Sequence, residues 1–376
     1  MISRAYDAVV IGAGVVGLAA AWHLLRLGRR SVAVVERFRV GHDRGSSHGS
    51  VRMTRSTYSS AAYAALMRHV HAEEWPRLER DAGVALVHRG DVLFFGDRAA
   101  LGDYAAAVLA AGADVEPLVP AVARRRFPAF RFADDSLILH DRTGGVIAAA
   151  DTIRALRRLV EHGGAEIMEE TRVLEIDRRS EPIRVVSERG DLHADRVVIA
   201  AGAWLPELMP AVAPAIRVVP QTVAYFRLGA PVAPLPAWVH FGGGERSVVY
   251  GLAERGREVL KAAHHDTRGV DAPPDAVPPP PVGESDAVRR LLERILAVPV
   301  LELLGVERCL YAMTPTEDFA IDHWPGDPRV AFASACSGHG FKFAPLTGRL
   351  LAELVVNGRA DLPGNPDSPA LFALRR

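Results

Sequence analysis

Three groups of residues in this chain are of types that can do chemistry, and the first two also have a compact spacing. The first is Gly12-Ala13-Gly14-Val15-Val16-Gly17, with Glu36 further on. The second is Gly45-Ser46-Ser47-His48-Gly49, followed closely by Arg52, Arg55 and Tyr58. The third is spread along the chain: Tyr250 and Gly251, Lys261 with His265, Cys309 with Tyr311, and Ser337-Gly338-His339-Gly340-Phe341-Lys342. Glycines spaced as in the first group let a backbone approach a pyrophosphate. Cations such as those of the other two hold anionic groups. Of 45 basic residues, only Lys261 and Lys342 are lysines. Arginine is a permanently charged fork, whereas lysine is a compact point charge whose pKa moves when water is excluded. The two lysines are therefore candidates for chemistry, set against the plainer reading that arginine-biased coding left them over by chance.

The elements that must position these groups follow from the apolar pattern. Asp7 to Ile11 reads as a short buried strand, and a helical pattern runs from the glycines to Leu27 and stops at Gly28. Ser31 to Val35 forms a second strand that ends at Glu36. In this order Gly12 allows the tight turn, Gly14 the close approach of phosphate, and Gly17 the packing of helix on strand. The helix amino terminus offers N–H groups and a positive dipole end to an anion. Glu36 is placed to accept hydrogen bonds from an adenosine ribose, which favours NAD or FAD over NADP. The motif alone leaves NAD and FAD both open.

Beyond Glu36 the regular strand-helix alternation of a simple dehydrogenase stops. Gly41 to Ser50 is a polar loop, and helical patterns run from about Ala61 to Arg80. Val92 to Phe95 reads as a strand, Ala148 to Glu161 as a helix, and Gly164 to Val186 as a strand pair. Arg196 to Ala201 reads as a buried strand leading into Gly202-Ala203-Trp204, a second close approach of backbone to a flat or charged group. Val218 to Arg227 and Ser247 to Gly251 suit a separate sheet, and Ala272 to Val282 is a proline-dense surface connection. Ser285 to Leu296 and Leu346 to Val356 read as helices, with Val330 to Ala333 as a last buried strand. The expected fold is an α/β (α+β) composite. A Rossmann-like nucleotide domain is assembled from residues 1–78, 145–212 and 310–376. A sheet-rich substrate domain, residues 79–144 and 213–309, is inserted into it, with ligands where the two meet.

Bulk composition narrows the partners. The 376 residues carry 45 acidic and 45 basic side chains, which gives no basic face for nucleic acid and no polybasic membrane anchor. Two distant cysteines make no disulfide framework, so a reducing cytoplasm is expected. Ala8 to Leu25 resembles a signal anchor on hydropathy, but its glycines and the adjoining Asp7 suit the dinucleotide unit better. Asn357, Asn365 and Gln221 are the only side-chain amides, which suggests heat tolerance or, equally, coding bias.

Competing motifs weigh less. Gly45-Ser46-Ser47-His48-Gly49 satisfies G-x-S-x-G, yet a nucleophile elbow needs a buried strand before it, and Arg37 to Arg44 is charged and loop-like. His264-His265-Asp266 has no third and fourth ligand at useful spacing, so a metal-free site is expected. Arg124-Arg125-Arg126 reads as a solvated helix face.

Taken together, these residues resemble the D-amino-acid-oxidase-like flavoproteins, and within them the monomeric sarcosine oxidase and N-methyltryptophan oxidase group. The resemblance implies a monomer with a Rossmann-like FAD-binding domain, FAD joined covalently to Cys309, and oxidation of secondary amino acids by O2 to an imine and hydrogen peroxide. It implies that Arg55 and Lys342 bind the substrate carboxylate and that Tyr250 and His265 line the substrate cavity. Lys261 would promote the reaction with oxygen, and Arg52 and His48 would pack near the flavin ring. Cofactor contacts would fall at Gly12, Gly14, Gly17, Glu36, Arg37, Ser46, Ser47, Val173, Gly202, Trp204, Gly338, His339, Gly340, Phe341 and Lys342. Tyr311 and Thr314 also fit the family pattern. Two positions depart from it: Val51 stands where the sarcosine oxidases have threonine, and Cys336 where they have phenylalanine. Cys336 reads as a small buried hydrophobe, and His339, between glycines, as approaching the flavin through its backbone more than its ring. Walls that select the substrate are expected around residues 213 to 260.

Overall fold

The computed structural model describes residues 4–229, 235–242, 248–254 and 258–363. The chain opens with strand β1 (Arg4–Ile11), helix α1 (Val15–Arg26) and strand β2 (Val32–Val35). Ala8, Val9, Val10 and Val34 are wholly buried, as parallel strands covered on both faces require. β1 pairs in parallel with β2 and with Leu192–Ile199. Glu166–Met168 continues the parallel order beyond β2, and Asp327–Ser334 beyond Leu192–Ile199. The antiparallel pair Val173–Asp177 and Ile183–Ser187, together with Ala320–Trp324, completes an eight-stranded sheet. The segment from Gly164 to Val186 is thus more than a hairpin: its first strand joins the parallel core, and only the two later ones form the antiparallel pair.

Close glycine contacts hold this unit together. A Cβ on Gly17 would sit 1.8 Å from the Gly12 carbonyl oxygen, so α1 can lie against the turn only with glycine there. On its other side α1 packs on the helix Ala344–Asn357, where a Cβ on Gly348 would come within 2.5 Å of the Ala19 backbone.

A second eight-stranded sheet runs in the order 300–313, 217–228, 259–264, 248–253, 237–241, 92–96, 137–141 and 115–117. It is antiparallel apart from the pairing of Ala237–Phe241 with Val92–Gly96. Val300–Met313 pairs with Arg217–Leu228 along most of its length. Of the expected strand from Ser247, the first residue lies outside the described residues. The same holds for positions 1–3 and 364–376 of the expected nucleotide domain, and for 230–234, 243–247 and 255–257 in the expected specificity wall.

A small third sheet links the two. Strand β3 (Val51–Thr54) pairs with Gly145–Ala148, which also pairs with Val87–Arg89. The helical segment expected near Ala61 to Arg80 is α2 (Ala61–His69), a π turn (Val70–Glu74) and α3 (Trp75–Ala82) in series. Pro76 explains the interruption. Its nitrogen has no hydrogen to give the Ala72 carbonyl, and its ring would strike that carbonyl in a regular α-helix.

Candidate active site

One continuous cavity of about 640 Å³ runs from the carboxyl end of β1 to the second sheet. At its nucleotide end, Gly12 (φ +100°) turns the chain where a side chain would strike the Ala200 carbonyl oxygen at 2.5 Å. Gly14 opens α1 with no side-chain cap of its own and no acidic residue in the first turn, which leaves the positive helix end facing the cavity. The Val15 N–H is already taken by Ser47 Oγ at 3.1 Å, so the helix end is less open than the sequence suggests. Glu36 is buried and accepts the Ala13 N–H at 2.7 Å and the Phe38 N–H at 2.8 Å. A carboxylate has about four lone-pair sites, so acceptor capacity remains toward the cavity. Val173 and Gly202 line the same end, and Trp204 donates from Nε1 to Asp275 at 2.9 Å. Asp275 also pairs with Arg37 at 2.6 Å, so the proline-dense connection ties down both residues.

In the middle of the cavity, charged groups converge on the Gly49 turn. Arg52 donates to the carbonyls of Val51 (2.9 Å), Ser46 (2.9 Å) and His48 (2.5 Å), and its guanidinium lies 5.4 Å from the Phe341 ring centre. Lys261 is buried, with Nζ 3.4 Å from the same Val51 carbonyl. Burial, and then the neighbouring Arg52, push its pKa down to about 7. His48 lies 3.5 Å from Glu307, which also accepts from Tyr225 Oη at 2.8 Å. Burial opposes the charged imidazole, but hydrogen bonds to Cys309 and Glu307 outweigh it and raise His48 to about 9. The same contact, with Arg52 and Lys261, lowers the Cys309 thiol against the upward push of its burial. A lowered pKa makes a thiol the better nucleophile at neutral pH. Cys336 borders the cavity too, but burial raises its pKa.

At the far end, Arg55 and Lys342 bracket the ring of Tyr58. The guanidinium sits 4.3 Å from the ring centre, and Lys342 Nζ donates to Tyr58 Oη at 3.3 Å and to the His339 carbonyl at 2.9 Å. Arg55 also contacts Tyr104 Oη at 3.2 Å and the Phe94 ring at 5.3 Å. Beneath it, buried Asp141 accepts the backbone N–H groups of Ser56 (2.7 Å) and Thr57 (3.0 Å) and fixes the turn. Lys342 lies well below the ordinary lysine value through burial and then the charge of Arg55. An incoming anion would relieve both effects. Burial, Arg55 and Lys342 hold His265 neutral, at about 4, while burial lifts Tyr250 to about 12. Tyr311 Oη lies 3.5 Å from His265 Nδ1. Gly338 (φ +73°) passes so close to this pair that a Cβ would meet Tyr311 at 2.6 Å.

Most positions singled out in the sequence therefore border one cavity, from Gly12, Gly14, Glu36 and Arg37 to Ser46, Ser47, Arg52 and Arg55, and on to Tyr250, Lys261, His265, Cys309 and the 338–342 segment. Gly17 and His48 do not border it. Gly17 packs α1 on the turn, and His48 stands behind, beside Cys309. The ring of His339 stacks on Phe319 at 4.7 Å and shares a hydrogen bond with Tyr58 Oη at 3.2 Å. Sequence reasoning missed Glu307, Tyr225, Asp141, Tyr104 and Asp275. Among the described residues no three metal-ligating side chains gather, and no helix is long and apolar enough to cross a membrane.

The family model for FAD dependent oxidoreductases matches residues 7–354. The chain belongs to this family. It is 32% identical to a peroxisomal sarcosine oxidase of Mus musculus, over 93% of this chain and 92% of that protein. It is 28% identical to a monomeric sarcosine oxidase of an Arthrobacter species, over 96% and 95% of the two chains. Among solved structures it shares its fold with NikD, described as an unusual amino acid oxidase essential for nikkomycin biosynthesis. That likeness has a TM-score of 0.86 at 24% identity and covers 99% of this chain and 98% of NikD. The chain is thus an FAD-dependent oxidoreductase of the sarcosine oxidase type. Its own geometry fits the cofactor. The glycine cradle and open helix end suit a pyrophosphate, and Glu36 suits a ribose. The Cys309 thiol borders the middle of the cavity with His48 beside it.

Proposed function

We propose that this oxidoreductase converts a secondary amino acid, N-methyl or cyclic, to an imine while reducing O2 to hydrogen peroxide. The observation that carries the reading is the pair of half-buried Arg55 and buried Lys342, two basic side chains facing one cavity around Tyr58, with Lys261 separately buried in the same cavity. A forked and a point charge together suit a carboxylate and hold it in one orientation. When bound, FAD supplies the two-electron acceptor and the route of those electrons to oxygen. Arg55 and Lys342 orient the substrate, and neutral His265, Tyr250 and Tyr311 border it without adding charge. Lys261 provides a localised cation where oxygen gains negative charge. The substrate loses two electrons and two protons, and O2 gains both.

Covalent attachment of FAD through Cys309 is part of the proposal. It is supported by the thiol's lowered pKa beside His48. The larger division into a nucleotide domain (1–78, 145–212, 310–376) and a substrate domain (79–144, 213–309) is supported by the two large sheets, whose strands fall on opposite sides of it apart from the end of Val300–Met313. Two free cysteines suit a reducing compartment such as the cytoplasm, and the monomeric sarcosine oxidases among its relatives support a single-chain enzyme.

The test is a panel of secondary amino acids assayed for peroxide, with bleaching of the yellow enzyme followed under nitrogen. Turnover by secondary amino acids without nicotinamide is expected. Turnover only with NAD(P)H, as in a hydroxylase, or no bleaching by any amino acid, as in a non-catalytic flavin carrier, would overturn the reading. Acid-precipitated protein should stay yellow, and Cys309→Ser should release its colour.

A further inference from the structure

We propose that the π turn Val70–Glu74 sets the spacing of the carboxylate clamp, with His71 and Trp75 as positioning residues for Arg55 and Lys342. The proposal rests on the reading above that these two cations bind the substrate carboxylate. The turn reaches both of them. His71 Nε2 shares a buried hydrogen bond of 2.6 Å with Thr54 Oγ1, the residue before Arg55. Trp75, wholly buried, donates from Nε1 to the backbone carbonyl of Lys342 at 2.8 Å. In a regular helix, residues four apart lie one turn above each other and meet neighbouring features. A π turn widens that interval locally and re-aims the side chains on either side.

The turn is itself anchored. Glu74 is wholly buried and pairs with Arg349 at 2.8 Å, with His69 at 2.9 Å and with Arg77 at 3.0 Å. Arg349 belongs to the helix Ala344–Asn357 that follows Lys342, so the π turn grips the lysine's segment at two points. Arg89 further ties the His71 carbonyl at 2.9 Å. None of these side chains borders the cavity. Their effect on substrate passes through the clamp.

The test uses the flavin-loaded enzyme. Trp75→Phe keeps the apolar ring and removes the donor, and Thr54→Val keeps the shape and removes the partner of His71. Acetate and benzoate, non-oxidisable carboxylates, are titrated against the visible flavin spectrum, and KM and kcat are measured for the best secondary amino acid. In each variant Kd and KM should rise about fivefold, the order of one neutral hydrogen bond. Saturated kcat and the spectrum without carboxylate should change little, and the melting temperature should fall by no more than about 4 °C, the cost of one buried hydrogen bond in a chain of this size. Unaltered carboxylate affinity in folded Trp75→Phe and Thr54→Val would overturn the positioning role. Arg55→Met and Lys342→Met serve as the separate check: if they leave carboxylate affinity intact, the clamp reading itself falls.

Discussion

Lys261→Met should stabilise the protein while impairing its reaction with oxygen, and the stabilisation should depend on pH. Lys261 has its pKa pushed from the ordinary 10.5 to about 7, chiefly by burial and then by Arg52, with Cys309, Glu307 and Glu254 pulling the other way. At about 1.4 kcal/mol per pH unit, that displacement corresponds to about 5 kcal/mol of penalty for a charged lysine at this place. The folded pKa lies below the unfolded one, so the unfolded chain binds more protons between pH 7 and 10.5. The penalty is therefore fully felt below pH 7 and fades as pH rises towards 10.5. Methionine has similar length and no charge, so it removes the penalty. The gain should be about 4 kcal/mol at pH 7 and about 2 kcal/mol at pH 9 as upper values, because relaxation and water entry soften buried charges. For a chain of this size that is a rise of about 5 °C in melting temperature at pH 7 and about half that at pH 9. Thermal melts of flavin-free protein at several pH values measure it, and stopped-flow reoxidation of the reduced holoenzyme measures the loss, about a hundredfold or more. Equal stabilisation at pH 6 and pH 10 would refute the charge-burial account, and unchanged reoxidation would refute the role in oxygen chemistry.

Other perturbations separate structure from binding. Glu307→Gln removes the partner of His48. Glu307 is lowered to about 2 by its hydrogen bond with His48 and then Tyr225, against burial, and His48 is raised to about 9. The carboxylate's contribution is present above its unfolded value and lost towards pH 2, and the imidazole's is present below 6.5 and lost through pH 9. The variant should therefore lose about 1 kcal/mol between pH 4.5 and 6.5, discounted because Glu307 is half exposed, and chemical denaturation across pH should show the deficit shrinking from pH 6.5 and gone above pH 9. Gly14→Ala should fold normally yet bind FAD weakly, because its Cβ meets only Ser47 Oγ at 3.2 Å and otherwise points into the cradle. Gly17→Ala should fail to fold, since its Cβ would collide with the Gly12 carbonyl. Circular dichroism with FAD titration separates the two outcomes.

The dinucleotide unit was legible because β1, the glycines, α1, β2 and Glu36 are contiguous, and Gly12 and Gly17 are demanded by a turn and a close contact. The loss of regular strand-helix alternation beyond Glu36 likewise pointed to a composite fold. The centre of the cavity was harder to read. Glu307, Cys309 and Tyr311 recur at every second residue, the period of one strand face, and that signal would have exposed Glu307 had Val300–Met313 been recognised as a strand. Tyr225 meets Glu307 only through the pairing of that strand with Arg217–Leu228. Asp141 escaped notice because its partners, Ser56 and Thr57, lie far away in sequence. The π turn leaves one mark in the sequence, Pro76, which by itself is also compatible with the first turn of a new helix.

The close packing of Gly348 against Ala19 has a consequence in time. The glycine cradle is encoded near the amino terminus, yet α1 is seated by a helix near the other end of the chain. A growing polypeptide cannot complete that contact until residue 348 has been made. Residues from Gly12 to Lys342 also face one cavity, so the order of synthesis is not the order of assembly. Completion of the nucleotide unit therefore waits for the segment around Gly348, and truncations that remove the helix Ala344–Asn357 should leave a chain that begins its nucleotide fold but cannot finish it.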